Sequence, residues 1–111
     1  MSAITDDVMT DRLKEARQYC LVILKHGPHR QMEGADLTIW EHGRRNLELQ
    51  RQGLLPVICP VSDGSDLSGI VIFNAPLEET HRLMEEDPGV KAGVFIYEVH
   101  VCLGFPGDRL P

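Results

Sequence analysis

Met84-Glu-Glu-Asp-Pro-Gly-Val-Lys-Ala-Gly-Val94 is the stretch where a helical pattern must give way to a strand, and its reading decides the fold. Pro88 disfavours the α conformation at Asp87 and has no N–H of its own. Gly89 and Gly93 relax the backbone just beyond it. The residues therefore predict a helix ending at Asp87-Pro88 and a strand starting after Gly93. Asp87 is left at the corner, where a carboxylate is easily aimed.

Downstream, Val94 to Leu103 alternates as a strand does. Phe95, Tyr97, Val99 and Val101 fall on one face, a dry core face. Ile96, Glu98, His100 and Cys102 fall on the other, which mixes apolar and ionisable groups. Upstream, Asn74-Ala75-Pro76 opens the helix, with Glu78 and Glu79 in its first turn and Leu77, Thr80 and Met84 inward. His81 falls on the surface or boundary of that helix. Before it, Leu54 to Val61 and Leu67 to Phe73 read as a hairpin around Ser62-Asp-Gly-Ser-Asp66. Pro56 and Pro60 put the first of these strands on a sheet edge or at a bulge.

Tyr19-Cys-Leu-Val-Ile-Leu-Lys25 is an apolar run too short for a helix and rich in β-formers, so it reads as a central strand. A long loop from His26 to Asp36 then makes a plausible pocket wall. Asp36 is read as the N-cap of a helix to about Gln52, stopped by Gly53. Its inward stripe is expected to hold Ile39, Trp40, Gly43, Leu47 and Gln50, with His42 on the flank in line with Asn46 and Leu49. Gly43 costs about 1 kcal/mol relative to Ala, which suggests a close approach of backbones. Residues 5–17 form an added helix, with Thr5 as its cap and Met9, Leu13 and Ala16 on one face.

Without that addition the order is β-α-β-β-α-β, the split βαβ arrangement of ferredoxin-like α+β folds: an antiparallel sheet with two helices on one face. The other face is left bare in a single copy. A patch of that size calls for a partner, so two copies are expected to pack sheet to sheet as a homodimer, a dimeric α/β barrel. The 111 residues suit one domain, with a core at about 19–103 and a loop tail at 104–111.

Composition narrows the function. A net charge of −6 without a clustered basic face argues against nucleic acid and anionic membranes as partners. The longest apolar run is far short of a membrane span. Met1 to Thr10 carries Asp6 and Asp7 rather than a signal-peptide core. Three cysteines without CxxC spacing (Cys20, Cys59 and Cys102) read as buried thiols in a cytoplasmic protein. Cys59, between Ile58 and Pro60, is an unpromising nucleophile.

The candidates for chemistry are His42 and Asp87. The two helices lie side by side, so a residue on one can approach the end of the other. A histidine oriented by a carboxylate is a general acid or base near neutral pH. The plainer reading is a helix-flank histidine and a helix-stopping aspartate. His26, His29 and His100 offer a weak metal alternative, and no metal is expected. Glu98 and His100 line a cavity or a dimer contact, with substrate binding as the sharper option. Arg44 or Arg45 could meet an anionic substrate, or be an ordinary solvated arginine. Trp40 is read as core.

Three stretches together carry a resemblance: Ile39-Trp-Glu-His-Gly-Arg-Arg-Asn-Leu47 with Gly53-Leu54-Leu55 after it, Cys59-Pro-Val-Ser-Asp-Gly64, and Glu86-Asp-Pro-Gly-Val-Lys-Ala-Gly93. They resemble the YciI-related (YCII) family of small dimeric α/β-barrel proteins over roughly Tyr19 to Val101. Relatives often have Gly-Pro where Cys59-Pro60 stands here. The resemblance implies that His42 and Asp87 form the functional pair, and it names no substrate. The expectation is a small cofactor-free enzyme of isomerase or lyase type, acting on a small organic molecule. The alternative is a non-catalytic ligand-binding or transcription-associated module, since some family members occur beside sigma-factor domains.

Overall fold

Residues 3–111 are described by the structure, a computed structural model. Met1 and Ser2 of the expected 1–111 domain lie outside the described residues. The elements run α1 (Asp6–Lys14), β1 (Arg17–His26), α2 (Ala35–Arg51), β2 (Val57–Pro60), β3 (Leu67–Phe73), α3 (Leu77–Glu85), α4 (Pro88–Lys91) and β4 (Phe95–Gly104). The strands form one antiparallel sheet in the order β2-β3-β1-β4. This is the ferredoxin-like α+β arrangement, with the N-terminal helix added. The order puts β2 on an edge, where Pro56 and Pro60 cost no internal ladder bond.

Alternation sets the layers. Cys20, Val22 and Leu24 of β1, Val71 and Phe73 of β3 and Phe95 of β4 are buried, and they join Leu49, Leu83 and Met84 from the helices. Leu21 and Ile23 pair with Ile72 and Ile70 and point to the side without helices. On that same side Ile96 is exposed. Val101, expected in the dry core, lies past the last buried layer and is exposed.

Several expectations need correction. Helix α2 is capped by Gly34 at φ 84°, one residue before Ala35, so Asp36 sits in the first turn and not at the N-cap. Its inner line is Ala35, Ile39, His42, Asn46 and Leu49, at spacings of three and four; Ala35 and Leu49 are buried. Trp40 is 67% exposed and Leu47 also faces out. The expected stripe is thus rotated by about one position, or 100°. Packing of Leu49 and of the His42 ring against Phe95 fixes the phase, not the two bulkiest apolar residues. Gly43 consequently meets open space, and no backbone among the described residues approaches it.

The corner after α3 holds more structure than a turn. Pro88–Lys91 is one further helical turn, capped by Asp87 with Pro88 at its start. The loop after β1 braces this turn and makes no wall of the cavity described below. The N–H groups of Gly27 and His29 donate to the carbonyls of Val94 and Gly93 at 2.8 Å, and the His29 ring sits 3.0 Å from the carbonyl of Ala92. Cys59 and Cys102 are only partly buried, unlike Cys20. Helix α1 is capped by Thr5 as expected, but it buries no side chain. Among the described residues no helix is long and apolar enough to cross a membrane.

Candidate functional site

Asp87 is an N-cap whose carboxylate serves two helices. Its Oδ2 accepts the N–H groups of Gly89 and Val90 at 2.9 and 3.1 Å, two of the orphan donors every helix start exposes. Gly89 is needed for this approach, because a Cβ there would collide with the Phe95 ring and lie 3.0 Å from Oδ2. The other oxygen, Oδ1, accepts from Nδ1 of His42 at 2.7 Å and lies 3.6 Å from the Arg45 guanidinium. Asp87 is 1% exposed. A carboxylate so far from water is tolerable only with this many donors around it.

His42 reaches Asp87 from the inner line of α2. Its side chain is 13% exposed, and its ring lies 4.8 Å from that of Phe95, tilted by 55°. A carboxylate oxygen only accepts, so the hydrogen of the neutral imidazole sits on Nδ1. That leaves Nε2 as the lone-pair nitrogen, and the amide of Asn46, one turn along α2, donates to it at 3.3 Å. Asp87 thus fixes the tautomer, and Asn46 shares the nitrogen that is free for chemistry.

Arg45 ties the arrangement to α3. Its Nη2 donates at 2.7 Å to the carbonyl of Leu83, near the end of α3. The N–H of Asp87, which would continue the helical ladder to Leu83, bonds instead to Met84 at 3.0 Å. The arginine therefore fills an acceptor left open by the helix end.

A cavity of about 200 Å³ opens beside His42, Gly43, Asn46 and Ser68, with apolar walls that include Val22, Leu24, Ile58 and Met84. The other expected site residues lie elsewhere. Arg44 is mostly exposed, bonds Glu41 at 3.1 Å, and borders an open groove on the outer side of α2 with Trp40 and Leu47. Glu98 and His100 pair with each other at 3.1 Å on the bare face of the sheet, opposite the helices that carry His42. Lys25 joins Glu98 at 2.8 Å and, with His100, holds its carboxyl below the usual carboxylate range. His26, His29 and His100 do not come together, and among the described residues no group of three or more potential metal ligands forms.

Three residues of the site escaped the sequence reading in that role. Asn46 carried a signal, its i+4 spacing from His42. Arg45 differs from Arg44 only by helix phase. Ser68 carried none. On the opposite flank of the core, Tyr97 donates to Glu85 at 2.7 Å, and burial together with that carboxylate pushes its phenol up to about 12.

No protein-family model matches the chain, and comparison with curated proteins finds no match. Among solved structures it is similar to 5-chloro-2-hydroxyhydroquinone dehydrochlorinase (TftG) from Burkholderia phenoliruptrix AC1100, in complex with 2,5-dihydroxybenzoquinone. The TM-score is 0.51 and the identity 24%, covering 74% of this chain and 90% of that one. That likeness shows the fold.

Proposed function

We propose that the cavity beside His42 is a catalytic site, in which Nε2 takes a proton from a small organic molecule without a cofactor and Asp87 orients the ring. The observation that carries this reading is the 2.7 Å contact between Nδ1 of His42 and a carboxylate that is 1% exposed, next to a cavity. A base removing a proton bound to carbon leaves an electron pair. That pair either takes a proton back at another atom, which is isomerisation, or forms a double bond as a leaving group departs, which is elimination. Loss of HCl, the reaction named for the structural neighbour, is of the second kind and needs such a base. The resemblance of residues 39–47 and 86–93 to the YciI-related family supports the same pair.

The bare sheet face is read as the contact between two copies, because Leu21, Ile23, Ile70 and Ile72 form an apolar cluster there, with the exposed Ile96 beyond Glu98 and Lys25 on the same face. Light scattering should give the mass of two chains; the mass of one would end this part of the reading.

The catalytic part is tested by deuterium incorporation in D₂O, followed by NMR over a panel of cyclic ketones and hydroxybenzenes. The protein should speed exchange or elimination for some member, and His42→Asn should slow it about 10²–10⁴-fold. Equal rates for both proteins would contradict catalysis. Ligand binding that persists without any turnover would leave a binding module in its place.

A further inference from the structure

In β3, Leu67 pairs with Lys25 and Gly69 pairs with Leu24, so Ser68 is an extra residue opposite no residue of β1. This is a β-bulge, a device that re-aims a side chain and occurs often beside functional sites. Strict alternation from Val71 and Gly69 would turn Ser68 onto the bare face of the sheet, where its hydroxyl would meet water. Its Oγ is instead buried, has no hydrogen-bond partner among the described residues, and belongs to a residue in the wall of the His42 cavity. A buried hydroxyl left unpaired is unfavourable for the folded chain and calls for a reason.

We propose that Ser68 is a specificity-determining residue that hydrogen-bonds the polar edge of the ligand bound beside His42, and that this ligand is uncharged and about the size of one ring. This rests on the reading of the cavity as the functional site. The volume of about 200 Å³ is below the roughly 300–1,000 Å³ of pockets for larger ligands. No lysine, arginine, aspartate or glutamate is among its lining residues, and the arginines nearby are engaged elsewhere: Arg45 by Leu83 and Asp87, Arg44 by Glu41. An anionic substrate would find no counter-charge there. A ring hydroxyl could bond Ser68 at one place in the wall or donate to the Nε2 of His42 at another, and a ring carbonyl could accept from Ser68.

The test uses three probes of similar size: resorcinol (uncharged, with hydroxyls), toluene (no polar group) and benzoate (anionic). Binding is followed by NMR titration of the full-length protein. Resorcinol should bind more tightly than toluene or benzoate and shift the amide signals of Ser68 and Gly69. Ser68→Ala should weaken resorcinol about tenfold, the loss of one hydrogen bond, and leave toluene unchanged. Ser68→Thr, which keeps the hydroxyl, should restore resorcinol binding. Because the hydroxyl bonds to none of the described residues, Ser68→Ala should unfold at the wild-type temperature or above it.

Unchanged resorcinol affinity in Ser68→Ala would overturn the proposal. So would benzoate binding as tightly as resorcinol, no binding of any probe, or a lowered unfolding temperature in Ser68→Ala. Ser68-dependent binding together with a His42→Asn variant that exchanges protons at the wild-type rate would remove the catalytic reading and leave the Ser68 assignment standing.

Discussion

Two histidine–carboxylate pairs sit on opposite sides of one sheet. His42–Asp87 spans 45 residues and joins two helices; His100–Glu98 spans two residues of a single strand. Their distances are similar, 2.7 and 3.1 Å, but their settings are not. Glu98 is 44% exposed and His100 56%, and any strand puts residues i and i+2 on the same face. Asp87 is gripped by two backbone N–H groups, a histidine and an arginine, which requires α2, α3 and α4 to be in place together. A pair of the right residue types is therefore common, whereas immobilisation and a largely apolar cavity beside it are what make such a pair useful.

The comparison breaks most visibly on deletion of each carboxylate. Asp87→Ala leaves Arg45 and His42 without their partner and strips the cap from α4. It should lower unfolding stability by about 3–5 kcal/mol in a urea titration. Glu98→Gln removes only solvated partners and should leave the unfolding stability near wild type. Similar losses from both substitutions would mean that burial does not separate the pairs.

Arg45→Met sharpens the contrast within α2. It removes a charge-assisted bond to Leu83 and the weaker contact with Asp87, and should cost about 1.5–3 kcal/mol. Arg44→Met, one residue away and solvated, should cost almost nothing by the same titration.

The smallest effect is the pH response of the exposed pair. The folded carboxyl of Glu98 is held low by Lys25 first and His100 second. Its contribution is therefore fully present above the unfolded value of about 4.3 and fades as the pH falls through the lower folded value. Glu98→Gln should flatten that acid limb of the stability curve, and added salt should do the same to the wild type. An acid limb unchanged by the substitution would show that Glu98 has no part in it.

Much of this architecture could be read from the residues. The apolar run of β1, the turn signal before β3, the alternation of β4, Pro56 and Pro60 at β2 and the stop at Asp87-Pro88 sufficed for the element order, because each is a local signal. The phase of α2 was not local. Trp40 and Leu47 are apolar enough to suggest a buried stripe, but the fit of His42, Asn46 and Leu49 against Phe95 and the sheet decides which side turns inward. The same rotation made Arg44 look as eligible as Arg45. Helix α4 is too short to show a periodicity. The bulge at Ser68 depends on how β3 pairs with β1, which neither strand reveals alone. The pairing of His42 with Asp87 was reachable from fold order, but the donors that hold Asp87 were not.

The state of the His42 ring is decisive. Long-range ¹H–¹⁵N NMR of the imidazole rings reports which nitrogen carries the hydrogen. The prediction is that in the neutral ring of His42 the hydrogen sits on Nδ1, toward Asp87, and that the Nε2 signal moves when resorcinol is added. A neutral ring with its hydrogen on Nε2, or an Nε2 signal indifferent to every cavity probe, would contradict it.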